Sequence, residues 1–359
     1  MNIIAIGINH KNTPIEVREE LFLTPVQRDL LLSELKNNRA VLEACVLSTC
    51  NRIEIYVRVV HSHFDWKLLV QLIARIKEVP FSPPLTDHFY VHFNDKAIRH
   101  LLEVSAGLDS MVLGEEQILG QVKSAFERAR AAGMLNRHFN ILSNITVRVG
   151  KKARNETNIS LGGSSVSWAA VKKAEEILGD LGHCSILVIG AGEMSELAVG
   201  HIQNRKFKKL FLMNRTQNNA KSLVEKYGGE AVSFCDIKEV LSQVDICICS
   251  AGAPHHILEK DTVARIMTLR NNRKLVFIDI SMPRNIDPCV SEVDNVHLYS
   301  IDALKEVVGS NVKLREKAID EVQEIIEDKF SEYHRKIQKM IELDQKALLD
   351  VLPEIHYSV

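Results

Sequence analysis

Short apolar runs separated by polar turns fill the first part of the chain. Met1-Asn2-Ile3-Ile4-Ala5-Ile6-Gly7 predicts a buried first strand. Val41 to Leu47 is mostly apolar, and beyond it Ile53, Ile55, Val57 and Val59 alternate with Glu54, Tyr56 and Arg58, the period of a half-buried strand. Helical spacing follows. Asp95 is placed to cap a helix carrying Ile98, Leu101 and Leu102, and a second helix starts near Glu115, with Ile118, Val122, Phe126 and Ala129 on one face and Gly133 as its stop. Between them, Ser105 to Ser110 predicts a turn whose small residues admit a close ligand. Strands and helices mixed in this way predict an α+β domain over residues 1–156.

The pattern changes at Thr157. Ile186–Ile189, Leu210–Met213, Val244–Ile248 and Leu275–Ile278 are continuous apolar runs alternating with helices, as in a parallel sheet covered on both faces. This second domain spans 157–300. From Ile301 to Val359 the chain reads as long helix, with Leu304, Val307/Val308, Leu314, Ala318/Ile319, Val322, Ile325/Ile326, Phe330, Tyr333, Ile337 and Met340/Ile341 at helical spacing. So long a stripe points to packing between subunits, with packing on its own domain as the alternative. The fold class is multidomain α/β.

Composition narrows the partners. A net charge of −1 over 359 residues gives no global pull toward polyanions, so a nucleic-acid contact needs a local patch. One candidate is the stretch with Arg128, Arg130, Arg137, Arg148, Lys151, Lys152 and Arg154 and no acid among them; a solvated basic helix face fits it equally. The N-terminus lacks a signal peptide's basic start and cleavage site, and the apolar runs fall short of the roughly 20 residues that span a bilayer. Seven scattered cysteines without a C-x-x-C pair suit a reducing cytoplasm, with no metal site and no membrane contact expected.

Two motifs carry chemistry. Ser48-Thr49-Cys50-Asn51-Arg52 puts a thiol on a strand-to-strand loop beside a cation able to raise its thiolate fraction, a candidate nucleophile. Ile186-Leu-Val-Ile-Gly190-Ala191-Gly192-Glu193-Met194-Ser195 runs from strand through a Gly-x-Gly turn into a helix, the cradle for a dinucleotide pyrophosphate, with Ser195 in place of the usual third Gly or Ala. The next strand ends Asn214-Arg215-Thr216, where an arginine rather than an acid suits the 2′-phosphate of NADPH. Ser250 and Ala251, after a later strand, form the edge of the nicotinamide pocket. A thiol and a hydride donor belong together in one reaction. A carboxylate or oxygen ester resists hydride, whereas a thioester keeps its carbonyl carbon electrophilic and has a good leaving group.

The stretch Ser48–Glu54 resembles the nucleophile motif of glutamyl-tRNA reductases. So does Gly107-Leu-Asp-Ser-Met-Val-Leu-Gly-Glu-Glu-Gln-Ile-Leu-Gly-Gln-Val-Lys123, and Gly190–Glu193, Asn214–Thr216 and Asp279–Arg284 follow in that family's order, over about residues 1–310. The resemblance implies glutamyl-tRNA(Glu) as acyl donor, attack by Cys50, NADPH as reductant and glutamate-1-semialdehyde as product, the entry to tetrapyrroles and haem. It implies His100 for positioning or proton transfer. It places Thr49, Asn51, Arg52, Ser110, Glu115, Glu116, Gln117 and Gln121 around the glutamyl group, with Arg52 suited to a carboxylate and Glu115 or Glu116 to the α-ammonium. Glu116 stands where the family commonly has proline. The family forms homodimers through C-terminal helices, whose pattern is not evident past Gln345 here, and the reactive aldehyde suits direct transfer to an aminomutase. Two other readings stay open: a shikimate-dehydrogenase-like NADP oxidoreductase, which leaves Cys50 without a task, and a non-enzymatic NADP-responsive tRNA-binding protein.

Overall fold

β1 (Ile3–Asn9), α1 (Ile15–Leu21), α2 (Pro25–Asn37), β2 (Val41–Ser48), β3 (Arg52–Val59), α3 (Lys67–Lys77), α4 (Pro83–Asp87) and β4 (Tyr90–Phe93) open the chain. The coordinates are a computed structural model describing residues 2–160, 165–304 and 316–351. The four strands form an antiparallel sheet in the order β2-β3-β1-β4. β2 and β3 pair with Ser48 opposite Ile53, so Cys50 sits at the hairpin tip. The alternation in β3 does not mark a solvent face: Arg52, Glu54 and Tyr56 are buried with the apolar residues between them. β3 is an inner strand of a sheet on which α1, α2, α5 (Asp95–Ala106) and α6 (Gln117–Ala131) pack, and its polar residues bond to one another instead of to water. In α5 the residue before the first turn is Asn94, not the expected cap Asp95. Its side-chain oxygen is engaged by the Ile3 N–H instead. Gly133 follows α6 with φ at 73°, a left-handed stop that glycine reaches without strain.

α7 (Arg137–Glu156) and α8 (Val166–Leu178) lead into a six-stranded parallel sheet of order β10-β9-β8-β5-β6-β7. Its strands are β5 (Ser185–Ile189), β6 (Lys209–Met213), β7 (Glu230–Val232), β8 (Ile246–Cys249), β9 (Leu275–Asp279) and β10 (Val296–Ser300). The helices between them are α9 (Glu193–Gln203), α10 (Gln217–Tyr227), α11 (Ile237–Gln243) and α12 (Lys260–Leu269). β5, β8 and β9 are buried along their whole length, which is why they appear as unbroken apolar runs. The edge strands β7 and β10 carry mixed sequence and no such signal. This is a Rossmann-type domain.

α13 (Glu316–Val351) is a single helix of 36 residues; Val307/Val308 and Leu314 of the predicted stripe lie outside the described residues. Ala318, Val322, Ile326, Phe330, Tyr333, Ile337 and Met340 are buried in the core of the N-terminal domain, against α5 and α7 of the same chain. The expectation that this stripe packs between subunits is thereby corrected. α5 and α7 leave an apolar trough that the helix fills, each large side chain there contributing roughly 1.5–3 kcal/mol. Exposed ion pairs along the same seam, such as Arg137–Asp344 at 2.5 Å, add about 0–1 kcal/mol each.

Much of the basic stretch is also paired within the chain. Arg148 pairs with Glu332 at 2.6 Å, Arg128 with Asp29 at 2.8 Å and Lys152 with Glu156 at 3.3 Å. Arg154 turns inward onto the carbonyls of Ser105, Gly150 and Glu115. With every charge but the exposed Lys151 engaged within the chain, the strip has little left for phosphates. Lys151→Ala/Lys152→Ala is therefore expected to change the salt slope of tRNA binding by less than the value of one phosphate contact, about 0.9 in log–log units. A change near two in a salt titration would return the strip to the interface.

Candidate active site

Thr49 builds the turn under Cys50. Its hydroxyl accepts the N–H groups of Asn51 and Arg52, both at 3.2 Å, and its own N–H donates to the Arg52 carbonyl at 2.8 Å. Asn51 is buried, and its carbonyl accepts the His10 N–H at 2.9 Å. Cys50 itself is half-buried at the contact between the two domains, packed against the apolar cluster that holds Met111, Val112, Ile280 and Met282.

Below the turn lies a buried charge network. The Nη1 of Arg52 donates to Glu54 Oε1 at 2.7 Å and to Asp109 Oδ2 at 2.9 Å. Nη2 of Arg52 reaches the Asp109 carbonyl at 2.5 Å, and Lys11 caps Asp109 from outside. Glu54 also accepts from the Tyr56 hydroxyl at 2.6 Å, from Tyr90, and from His100 Nε2 at 2.8 Å. A carboxylate only accepts, so the His100 Nε2 in this contact carries a proton. Burial alone would push the Glu54 carboxyl up; the Arg52 guanidinium, then His100, override it and hold it far below the usual range. Glu54, His100 and Asp109 each bring a donor atom within 4.8 Å of the others, but the cation between the two carboxylates is the guanidinium.

This arrangement corrects one expectation. Arg52 is taken up by Glu54 and Asp109 and is a minor influence on the nucleophile. Burial and then Glu115 push the Cys50 thiol up to about 12, and Arg18 counts ahead of Arg52 among the groups pulling it down. At neutral pH Cys50 is held as the thiol.

The turn between α5 and α6 supplies the rest. Glu115 is buried and Glu116 exposed, so only Glu115 reaches the centre. Burial pushes the Glu115 carboxyl up to about 7, against the pull of Arg52 and Arg154, with Glu193 of the second domain adding to the rise. Ser110 Oγ, Asn51 Oδ1 and both amide atoms of Gln117 are buried without a hydrogen-bond partner. Unmet buried polar atoms cost about 1–3 kcal/mol each, a cost relieved when a polar ligand arrives. Gln121 follows Gln117 by one turn on the same face of α6.

At the C-terminal edge of the parallel sheet, Gly190 has φ at 121°, and a Cβ there would stand 2.6 Å from Ser195 Oγ and 2.7 Å from the Ser250 carbonyl oxygen. Gly192, at the N-cap of α9, faces open space, as a pyrophosphate cradle requires. Ser195 has a reason to replace glycine: its hydroxyl bonds that of Ser250 at 2.6 Å, tying the turn to the end of β8. Ala191 and Met194 are half-buried, Glu193 is exposed, and Ala251 continues the β8 turn. The Asn214 amide donates to the Thr216 carbonyl at 3.0 Å, which holds the β6 turn around an exposed Arg215. These features fit a dinucleotide with a 2′-phosphate.

The sequence left Glu54, Asp109, Tyr90, Lys11, Arg18 and Asp302 unassigned. Glu54 sat in an alternation that mimics a solvent face, and the others are distant in sequence from the residues they touch.

Residues 6–157 match the family described as "Glutamyl-tRNAGlu reductase, N-terminal domain", and residues 172–307 match "Shikimate / quinate 5-dehydrogenase". The chain is 37% identical over 347 residues to the glutamyl-tRNA reductase of Thermodesulfovibrio yellowstonii, spanning 95% of this chain and 81% of that protein. It is 39% identical over 330 residues to the glutamyl-tRNA reductase of Priestia megaterium, spanning 91% and 73% respectively. The solved structure of glutamyl-tRNA reductase from Methanopyrus kandleri superposes with a TM-score of 0.52 at 31% identity, covering 94% of this chain and 81% of that one.

Proposed function

The chain belongs to the glutamyl-tRNA reductase family, and from that premise we propose that it reduces the glutamyl group of glutamyl-tRNA(Glu) to glutamate-1-semialdehyde through a thioester on Cys50. The observation that carries this reading is the place of Cys50: a half-buried thiol at a hairpin tip, with unmet polar atoms beside it and a second domain packed over it.

Attack of Cys50 sulfur on the aminoacyl carbonyl forms the C–S bond and breaks the bond to the ribose oxygen, releasing tRNA. The proton lost by the Cys50 thiol ends on the departing ribose oxygen, and His100, held by Glu54, is the group that carries it. Glu115, the buried acid, pairs with the α-ammonium, while Asn51, Ser110 and Gln117 offer their unmet donors and acceptors to the remaining polar atoms, with Thr49 and Gln121 beside them. Arg52 can meet the substrate carboxylate only by exchanging Asp109 for it, a swap Lys11 can absorb. An ammonium on Glu115 offsets one of the two influences that raise the Cys50 pKa, so substrate arrival itself favours ionisation of the thiol. NADPH would be held by Gly190–Ser195, Asn214–Thr216 and Ser250–Ala251 and would supply the hydride that reduces the thioester carbonyl to the aldehyde, Cys50 leaving as the thiolate.

The test is radiolabelled glutamyl-tRNA with and without NADPH. Label trapped on Cys50 without it, and aldehyde with it, is the expected result; no covalent label in the wild type overturns the reading. For the cofactor, Arg215→Ala is expected to weaken NADPH binding by about tenfold or more and leave NADH unchanged, since a charge-assisted contact to phosphate is worth about 1.5–3 kcal/mol. Equal losses for both in a fluorescence titration would remove Arg215 from the 2′-phosphate. A tRNA(Glu) substrate and free thiols support a cytoplasmic location; among the described residues no helix is long and apolar enough to cross a membrane. A homodimer is left the part of α13 beyond Met340, where Ile341 and Leu343 are exposed, and direct handover of the aldehyde to an aminomutase suits its reactivity.

A further inference from the structure

One guanidinium joins the nucleophile's backbone to the turn that follows the last strand of the parallel sheet. Arg18, on α1, is 2% exposed. Its Nη1 donates to the Cys50 carbonyl at 3.0 Å and its Nε to the Thr13 carbonyl at 3.2 Å. Its Nη2 is held by both carboxylate oxygens of Asp302, at 2.7 and 2.6 Å. Asp302 lies in the turn Ile301–Leu304 just after β10, 284 residues away in sequence. A second pair joins the same helix to the same domain: Arg284, between β9 and β10, donates to Glu19 through Nε at 2.9 Å, Nη2 at 2.8 Å and its backbone N–H at 2.6 Å.

We propose that Arg18 and Asp302 are positioning residues that register the docked dinucleotide domain against Cys50, so that reduction of the thioester depends on the pair while its formation does not. The inference rests on the thioester reading above. Arg18 cannot move off Asp302 without changing its bond to the Cys50 carbonyl, because both contacts come from one planar group. Glu19 and Arg284 secure the docking but touch no part of the nucleophile loop. Arg18 is therefore the only described residue whose side chain bonds both to Cys50 and to the second domain. Acyl capture needs the hairpin tip, His100 and the substrate pocket, all within the first domain. Reduction needs the two domains in register to within a fraction of an ångström. A thioester held out of register meets water instead: hydroxyl adds to the carbonyl, the C–S bond breaks, and glutamate and the Cys50 thiol result, with nothing oxidised or reduced.

The experiment is Asp302→Asn in the full-length protein, which keeps the shape and removes the charge. With labelled glutamyl-tRNA, release of tRNA in the absence of NADPH is expected within twofold of wild type. With NADPH, the ratio of aldehyde to free glutamate is expected to fall about tenfold, and Asp302→Glu, which restores the acid, to recover much of it. An unchanged product ratio in Asp302→Asn overturns the proposal, as does a proportional fall in both products. A second readout needs no turnover: amide exchange at Thr49–Arg52 in the free protein is expected to quicken in Asp302→Asn and not in Glu19→Gln. Equal protection in wild type and Asp302→Asn overturns the coupling even where the function reading holds. A wild type without covalent label overturns the function reading while leaving the exchange result to judge the contact.

Discussion

Replacing Cys50 with serine lowers aldehyde formation by about 10⁴-fold or more, the scale seen when a covalent nucleophile is removed, and leaves the unfolding midpoint close to that of the wild type. The exchange keeps the size of the side chain at a half-buried position, so packing against Met282 and its neighbours changes little. What is lost is chemistry. A serine ester is no better an electrophile than the substrate's own ester and has a poorer leaving group. The measurement is steady-state aldehyde production beside thermal unfolding of the same preparation. A variant that keeps more than a tenth of the wild-type rate removes Cys50 as the nucleophile.

The second large effect is on stability. Glu54→Gln costs about 3–5 kcal/mol, as when one member of a buried ion pair is taken away. Both side chains of the Arg52–Glu54 pair are 1% exposed, so the guanidinium cannot turn to water. Asp109, with side-chain exposure of 15% and Lys11 beside it, gives less on Asp109→Asn because solvent and the lysine compensate. Because the Glu54 carboxyl is held far below its unfolded value, its stabilisation is present above the unfolded value, near 4.5, and is lost as pH falls toward the folded one. Glu54→Gln should therefore be weaker than wild type at pH 7 by the full amount and converge on it in acid. Urea unfolding at pH 7 and at pH 3 checks this; a cost below about 1 kcal/mol at pH 7 would show that the network does not bear on stability.

The parts of the molecule legible in sequence are those where one segment determines its own surroundings. The Cys50 hairpin tip follows from two flanking strands, and the Gly190 turn from a strand running into a helix. The inner strands of the parallel sheet declare themselves because both faces are covered. Polar residues with distant partners were illegible. Glu54 and Tyr56 have the spacing of a wet face and become buried only because β1, β2 and the surrounding helices close over β3. Arg18 looks like one charge in the run Glu16-Val17-Arg18-Glu19-Glu20, and nothing local announces a partner at Asp302. The pairing of the basic stretch from Arg128 to Arg154 was illegible for the same reason. Its counter-ions include Asp29, Glu332 and Asp344, which no window along the chain can bring together.

The trough over α5 and α7 has a consequence for how the chain comes to be folded. The core begun by residues 3–153 is completed by Ala318 to Met340, with the whole parallel-sheet domain between them. The first half to leave the ribosome is thus the last to close, and its apolar seam stays open until Met340 has been made. A fragment cut after α7 would inherit that open seam for good and would be expected to aggregate. The Rossmann-type domain, whose apolar clusters draw only Ile15, Met111 and Val112 as buried members from the first half, is the piece able to complete its folding early and stand as a separate unit.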